Sequence, residues 1–566
     1  MSPPMQDFIA TQTAEIQPVA TMAKAKLKST RLSQILPVSL SNKIYDIKSP
    51  ETCLEPTPPE SPTSEGKPEL EDVQSQLELM LGYADQLSGM VHQASEEDAN
   101  DHRESLRLLI NYLDQTVLFG RNIHSVLAPL PVPDVQRSKL LRSYYEALHG
   151  ADISPPLQKS GLFGSQTQGG PAQIYTVFGG QGLRGNTIDE LRDLVSTYPS
   201  LIRDLIHDLS SLLLELSNTD GTTLKLLPKG LDILTWLESP SQAPDSTYLT
   251  PAPVSAPLIG LVQLAHYEVT CKTLGLTPGQ FRNRIAGTTG HSQGIITAAA
   301  VALADDWVSW REATRTAITT LFWIGVRTQQ VWDAQHRYNT ISDAMVQDSI
   351  DHGERRPSPM LSIRGLTKEQ LQVCIKAARR YLKDGPHCLS ISMANGPKHF
   401  VVSGPPKYLY GLNLQIRKRK QLSSQGDLAD GVGSNFLNVS VPFHTHWLDD
   451  AVPMIQNDLK HISMPSSSMA IPVFSTENGQ DLRSQSTDGP DLVSLVVSQG
   501  LDWVSATSQI YPETTLEGKT QTVLDFGPGG VHGISSISSS SASRIILAGT
   551  PSGKKAGVGY KQDLFD

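Results

Sequence analysis

Cysteine is scarce in this chain: 566 residues hold four, Cys53, Cys271, Cys374 and Cys388, with neither metal-ligand spacing nor a disulfide framework. Scattered thiols of this kind fit a reducing compartment, so no bound metal and no stapled secreted fold is expected. Long apolar runs are missing too. The longest, Gly294 to Ala304, falls short of the roughly 20 residues a helix needs to cross a bilayer. The opening MSPPMQDFIATQ has no basic stretch leading into an apolar one, so no secretory signal is expected. Nor is there a basic excess. Lys and Arg number 47 against 57 Asp and Glu, a net charge of −10, which argues against nucleic acid as a partner. The expectation left by these absences is a cytoplasmic protein with no membrane contact.

What is present changes along the chain. Residues 1–66 carry nine prolines, and Pro50–Pro68 cannot bury enough apolar surface to offset the entropy of ordering, so a disordered extension is expected there. Between 67 and 160 the spacing of Leu77, Leu79, Leu81, Leu87, Leu106, Leu109, Leu113 and Leu118 predicts a helical region. From 161 to 550 strands and helices alternate, which predicts an α/β domain: strands at 172–178 and 284–288, helices at 187–217 and 256–274, and further strands at 471–474 and 522–526. Within it, 358–435 reads β-α-β-β-α, the order of a small ferredoxin-like insert. Residues 551–566 are expected to be a C-terminal tail.

Three glycine-rich turns follow predicted strands. Gly290-His291-Ser292-Gln293-Gly294 matches the G-x-S-x-G nucleophile elbow, a sharp strand-to-helix turn that projects a serine hydroxyl. The helix after it would offer backbone N–H groups to a developing oxyanion. Gly179-Gly180-Gln181-Gly182 lacks the lysine of a P-loop and suits a polar group brought against a reacting carbonyl. Asp525-Phe526-Gly527-Pro528-Gly529-Gly530 is the third. A serine nucleophile needs a base. Among 15 histidines, Pro442-Phe443-His444-Thr445-His446 stands out, with His446 as competitor to His444. Arg417-Lys418-Arg419-Lys420 is a basic run that would suit coenzyme A phosphates or an acidic protein, or simply a solvated helix end.

FGGQG, GHSQG, PFHTH and LDFGPGG in that order resemble the malonyl/acetyl-CoA:carrier-protein acyltransferases. The closer resemblance is to the acetyltransferase domain at the N-terminus of the fungal type I fatty acid synthase β subunit, through PLIGLVQLAHY, ATRTAITTLFWIGVR and the final YKQDLFD, over residues 70–566. The resemblance implies an acyltransferase fold with a ferredoxin-like small subdomain. It implies Ser292 as nucleophile and His444 as general base, in a dyad oriented by a backbone carbonyl. The N–H groups of Gln181 and Gln293 would form the oxyanion hole, with Asn395 in support. Where malonyl-transferring relatives place an arginine, this chain has Ile324, which favours acetyl or another short monocarboxylic acyl group. Arg327, three residues on, would restore malonyl if it filled the pocket instead.

The implied reaction is ping-pong transfer of acetyl, or another short monocarboxylic acyl group, from coenzyme A to the phosphopantetheine thiol of an acyl carrier protein, as the priming step of fatty acid synthesis, with a starter unit for a secondary metabolite as the other setting. Acyl-CoA is then a substrate, no cofactor is tightly bound, and the carrier would sit on a fatty acid synthase α subunit. The family usually reads PFHS where Phe443-His444-Thr445 stands here. The reductase and dehydratase regions of a full β subunit are not in this sequence, so FMN and NADPH are not expected, and 551–566 would lead into the rest of such a subunit. Two other readings are a hydrolase, in one form using Ser292, Asp525 and His532, and a non-catalytic assembly fragment.

Overall fold

The computed structural model describes residues 70–158, 161–163, 173–182, 187–335, 340–380, 388–423, 431–484, 491–510, 521–531, 543–550 and 558–565. The expected extension 1–66 with Cys53, most of the 160–170 linker, and His532 lie outside them.

Helices α1 (Leu70–Gln93), α2 (Glu96–Leu113) and α3 (Asp134–Gly150) form the N-terminal region. Ser95 caps α2 by accepting the Asp98 N–H, which satisfies one of the free donors of the first turn. The leucines at spacings of three and four turn inward: Leu77, Leu81, Leu106, Leu109, Leu113 and Leu141 are buried. Their cluster is continuous with the core of the α/β domain, so this region has no separate core of its own.

The large sheet runs β10-β9-β8-β1-β2, all parallel: β1 (Ile174–Phe178), β2 (Gly287–Gly290), β8 (Gln521–Asp525), β9 (Ser543–Leu547) and β10 (Val558–Tyr560). Parallel strands present their C-terminal ends along one edge, where open α/β sheets place their sites. Because β8, β1 and β2 are neighbours, the three glycine-rich turns that follow them converge.

Several element boundaries differ from the pattern. One helix is predicted over 187–217, and there are two, α4 (Thr187–Thr197) and α5 (Pro199–Ser217). Pro199 has no N–H to continue the ladder, and Tyr198 leaves helical geometry at φ −129° and ψ 47°. The strand predicted at 284–288 starts later, because Arg284 and Ile285 close turns onto Phe281 and Arg282. Residues 471–474 form only isolated bridges, Val473 to Thr288 and Phe474 to Asp481.

Three helices wrap the site: α6 (Ala252–Thr273), α7 (Gly294–Leu303) and α8 (Trp307–Asp333). An Asp306–Ser309 capping box starts α8. It crosses α6 closely because Gly260 and Gly325 lack side chains. A Cβ on Gly325 would lie 2.4 Å from the Ala252 carbonyl oxygen, and one on Gly260 would lie 2.3 Å from Leu321 Cδ1.

The small subdomain is β3 (Met360–Arg364), α9 (Lys368–Arg379), β4 (Ser390–Gly396), β5 (His399–Ser403), α10 (Pro406–Ser423) and β6 (Gly433–Phe436). The structure adds β6 to the predicted β-α-β-β-α, and the strand order β6-β3-β5-β4 is ferredoxin-like. β7 (Leu501–Asp502), from outside the insert, extends this sheet parallel to β4. One face, with Leu361, Ile363, Phe400 and Val402, packs with Leu371, Leu409 and Leu412 in a cluster of its own. On the other, Met393 and Val401 join the main core. The architecture is thus an α/β domain with a ferredoxin-like subdomain, preceded by helices. Among the described residues no helix is long and apolar enough to cross a membrane, and no group of His, Cys, Asp and Glu is placed to hold a metal ion.

Candidate active site

The turn after β2 is drawn tight by its glycines. A Cβ on Gly290 would lie 1.9 Å from the Gly294 carbonyl carbon, and one on Gly294 would lie 2.4 Å from the Phe178 oxygen. Between them Ser292 has φ +55°, the left-handed region that non-glycine residues seldom enter. The His291 N–H donates to the Phe178 oxygen at 2.8 Å, fixing the turn to the end of β1. The buried helix α7 begins at Gly294, so its positive end lies at the serine.

Ser292 Oγ lies 2.8 Å from His444 Nε2. His444 also has a positive φ, +61°, and its N–H donates to the Val497 oxygen at 2.8 Å. His444 Nδ1 lies 2.8 Å from the Gln499 carbonyl oxygen. A carbonyl only accepts, so Nδ1 carries the proton and Nε2 is left to accept from the serine hydroxyl. Burial pushes the His444 pKa down to about 4, against the Gln499 bond, which raises it; nearby His291 adds to the lowering. The ring is therefore neutral at pH 7. His446, the competitor, is exposed and stacks on Trp447. Thr445, where the family usually has serine, is buried and donates to the Pro442 oxygen at 2.6 Å.

Gln181 and Gln293 reach the first turns of α6 with their side chains. Gln181 Nε2 donates to Ser255 Oγ at 2.6 Å, and Gln293 Nε2 to the Ala256 oxygen at 2.9 Å. Gly180 brings the first loop onto the elbow: a Cβ there would lie 2.7 Å from the His291 oxygen and 3.0 Å from Ser292 Cβ. Asn395 reaches the site through a neighbour. Its Oδ1 accepts from His291 Nε2 at 2.9 Å, and the His291 ring meets Trp503 edge-on at 5.1 Å. Burial holds the His291 pKa near 4, so this ring is neutral as well.

Ile324 is fully buried in α8. Arg327 is occupied elsewhere. Its Nε and Nη2 donate to the two Asp458 oxygens at 2.6 and 3.1 Å, and Nη2 also meets Asp220 at 3.3 Å. The same guanidinium lies over the Trp323 ring. The Asp525 carboxylate accepts the Gly527 N–H of its own turn at 2.9 Å. Arg417, first of the basic run, is tied to Glu354 and Asp348 and is not a free surface charge. A cavity of about 330 Å³ opens beside Gly180–Gly182, lined in part by Ile188, Leu249, Leu258, Thr250 and Asn438.

Sequence reading missed Gln499. It contributes a main-chain carbonyl, which any residue has, so no residue type could mark it. His291 and Trp503 were also passed over. A histidine inside the elbow motif was the available signal for the first.

Residues 176–444 match the family described as starter unit:ACP transacylase in aflatoxin biosynthesis. The chain is 39% identical over 510 residues to the fatty acid synthase β subunit TOXC of Cochliobolus carbonum, covering 87% of this chain and 24% of that protein. It is 38% identical over 485 residues to the fatty acid synthase subunit β of Saccharomyces cerevisiae, covering 81% and 23%. The chain thus spans about a quarter of the length of these relatives. An acyl carrier protein S-malonyltransferase from Vibrio cholerae aligns with a TM-score of 0.43 at 17% identity, over 66% of this chain and 96% of that one. Identity with fungal β subunits over most of this sequence gives the family: the chain carries an acyl-CoA:acyl-carrier-protein transacylase-like domain of the fungal fatty acid synthase β-subunit type.

Proposed function

We propose that the domain moves an acetyl or other short monocarboxylic acyl group from coenzyme A to the phosphopantetheine thiol of an acyl carrier protein, through an ester on Ser292. The observation that carries this reading is the relay Ser292 Oγ, His444 Nε2, His444 Nδ1 and Gln499 oxygen, with both links at 2.8 Å. In the first half-reaction Ser292 Oγ attacks the thioester carbonyl and its proton passes to His444 Nε2. The N–H groups of Gln181 and Gln293 receive the negative oxygen. The intermediate collapses with cleavage of the C–S bond, and His444 returns the proton to the departing coenzyme A sulfur. In the second half-reaction the carrier thiol loses its proton to Nε2 and its sulfur attacks the ester carbonyl; the C–Oγ bond then breaks, and Nε2 returns the proton to Ser292 Oγ.

The choice of acyl group follows from charge. A malonyl carboxylate would need a cation, since burying it unpaired is costly. Ile324 offers none, and Arg327 is already held by Asp458 and Asp220. In a β subunit this transfer would prime fatty acid synthesis or supply a starter unit, with the carrier on an α subunit.

Intact-mass measurement after incubation with acetyl-, hexanoyl- and malonyl-CoA tests the reading. A single acetyl or hexanoyl adduct is expected, lost in Ser292→Ala and reduced at least about a hundredfold in rate in His444→Ala. Labelling of both variants at the wild-type rate sinks the mechanism. Dominant malonylation sinks the substrate assignment. An ester that water clears as fast as carrier thiol does would make the domain a hydrolase.

A further inference from the structure

The oxyanion loop presents a conflict. Gly180 must be glycine, because a Cβ would collide with the His291 oxygen 2.7 Å away. Yet two successive glycines, Gly179 and Gly180, give the most freely rotating backbone available. A loop that has to aim one N–H at a reacting oxygen therefore cannot hold its own shape. The constraint has to come from outside it.

Gln263, in the middle of α6 and inside the PLIGLVQLAHY segment, is fully buried, and neither the three glycine-rich turns nor the dyad gives it a role. Its Nε2 donates twice, to the Gly179 oxygen at 2.7 Å and to the Gly527 oxygen at 2.8 Å. The Gly179 N–H also donates to that Gly527 oxygen, at 2.7 Å. On the other side, Thr297 Oγ1 donates to Gln263 Oε1 at 2.7 Å, and Thr297 belongs to α7, the helix that starts at the elbow. One amide thus joins the loop after β1, the turn after β8 and the elbow helix. Only a side chain with two donor hydrogens and an acceptor at its tip can make all three bonds. The Asp525–Gly530 turn, which the dyad chemistry leaves without a role, becomes the abutment against which the first loop is held.

We propose that Gln263 is a positioning residue that fixes the Gly179–Gly180 peptide and so aims the Gln181 N–H at the carbonyl oxygen of the acyl group on Ser292. This rests on the acyl-serine reading above. It goes beyond it by naming what keeps the oxyanion donor in place between turnovers. Preorganised donors accelerate the step because they need no reorientation as charge develops, and losing one costs about a hundredfold to a thousandfold in kcat. A donor that is misaimed but still present should cost less, about tenfold to a hundredfold.

The test is single-turnover acylation by acetyl-CoA of the full chain, following Ser292 by quenched mass spectrometry. In Gln263→Leu combined with Thr297→Val, both partners of the inner bond are apolar, so no buried hydroxyl is stranded; the Gly179 oxygen loses its side-chain donor, so the variant is assayed well below its own melting temperature. The maximal acylation rate should fall at least about tenfold, with the half-saturating acetyl-CoA concentration within about twofold. Gln263→Glu supplies a second readout. Its protonated acid can donate to the Gly179 oxygen and its carboxylate cannot, so its rate relative to wild type should climb as pH falls from 8 to 5. A double variant with wild-type rate overturns the proposal, as does a rate loss that follows the melting temperature or the half-saturating concentration. So does a Gln263→Glu deficit that is flat with pH. Absence of any Ser292 adduct in the wild-type chain would defeat the acyl-serine reading itself, and the role of Gln263 with it.

Discussion

His444 combines two conditions, a fixed tautomer and a low pKa. In the proposed role of base it works only while neutral, and burial moves its titration down to about 4. The acylation rate should therefore stay level from about pH 8 to pH 5 and fall only as pH approaches 4. A pH–rate profile whose acid limb centres near the ordinary histidine value would contradict this. Arg327 gives a second prediction at this scale. Its guanidinium is nine-tenths buried and balances Asp458. Arg327→Met should destabilise the fold by about 3 kcal/mol, because an uncompensated carboxylate is left behind. The preference for acetyl over malonyl should not change. Urea unfolding and a two-substrate competition read the two effects separately, and a shift in preference would return Arg327 to the pocket. Side chains with distinctive chemistry were the legible part of the candidate site, and the structure brings Ser292 and His444 within 2.8 Å of each other. The Gln499 carbonyl was not, since a main-chain oxygen leaves no mark on residue type.

At the scale of elements, the turns matter more than the helices they join. Gly180→Ala would place a methyl 2.7 Å from the His291 oxygen, so the Gly179–Gly182 loop must retreat from Ser292, the proposed nucleophile. Acylation should fall about a hundredfold while far-UV circular dichroism stays unchanged. Equal rates for variant and wild type would mean that the loop does not serve the reacting carbonyl. Much of the element order was legible, because periodicity and glycine punctuation mark a strand followed by a helix. What escaped has local causes. Pro199 splits what hydrophobic spacing alone reads as one helix. β6, Gly433–Phe436, is short and polar, and it is a strand only because β3 offers an edge. The bonds that join one element to another, such as those of Gln263, depend on neighbours far apart in the chain, and a window of sequence cannot contain them.

Buried polar groups tie residues 561–565 to the helices around His124, Tyr198 and Thr270. Lys561 is 1% exposed, bonded to Thr270 Oγ1 at 3.1 Å and lying over the Tyr198 ring. Next to it His124 bonds Tyr198 and stacks on Phe565. Burial lowers the Lys561 pKa to about 7. The unfolded chain, with an ordinary lysine, binds the extra proton between pH 7 and 10.5, so stability contributed by this group should rise with pH across that window. Lys561→Met should flatten that rise and raise the melting temperature at pH 7. On the acid side His291, His399 and His444 all titrate near 4 in the fold. Each takes up its proton at higher pH when unfolded, so stability should drop as pH falls from 6.5 to 4. Melting temperatures across pH 4 to 10 check both limbs, and a curve flat below 6.5 would be incompatible with three neutral buried imidazoles.

The order β10-β9-β8-β1-β2 has a consequence for the ribosome. β1 can pair with β2 soon after both emerge, but its other edge belongs to β8, and residues 291–520 are translated in between. At ordinary elongation rates that edge waits on the order of tens of seconds, an interval in which a nascent chain is open to misassembly. His444 and the Gln499 carbonyl also arrive late in that interval. A stalled nascent chain ending before residue 499 should display the elbow serine without reacting with acyl-CoA, which makes acylation a clock for how far synthesis and folding have advanced.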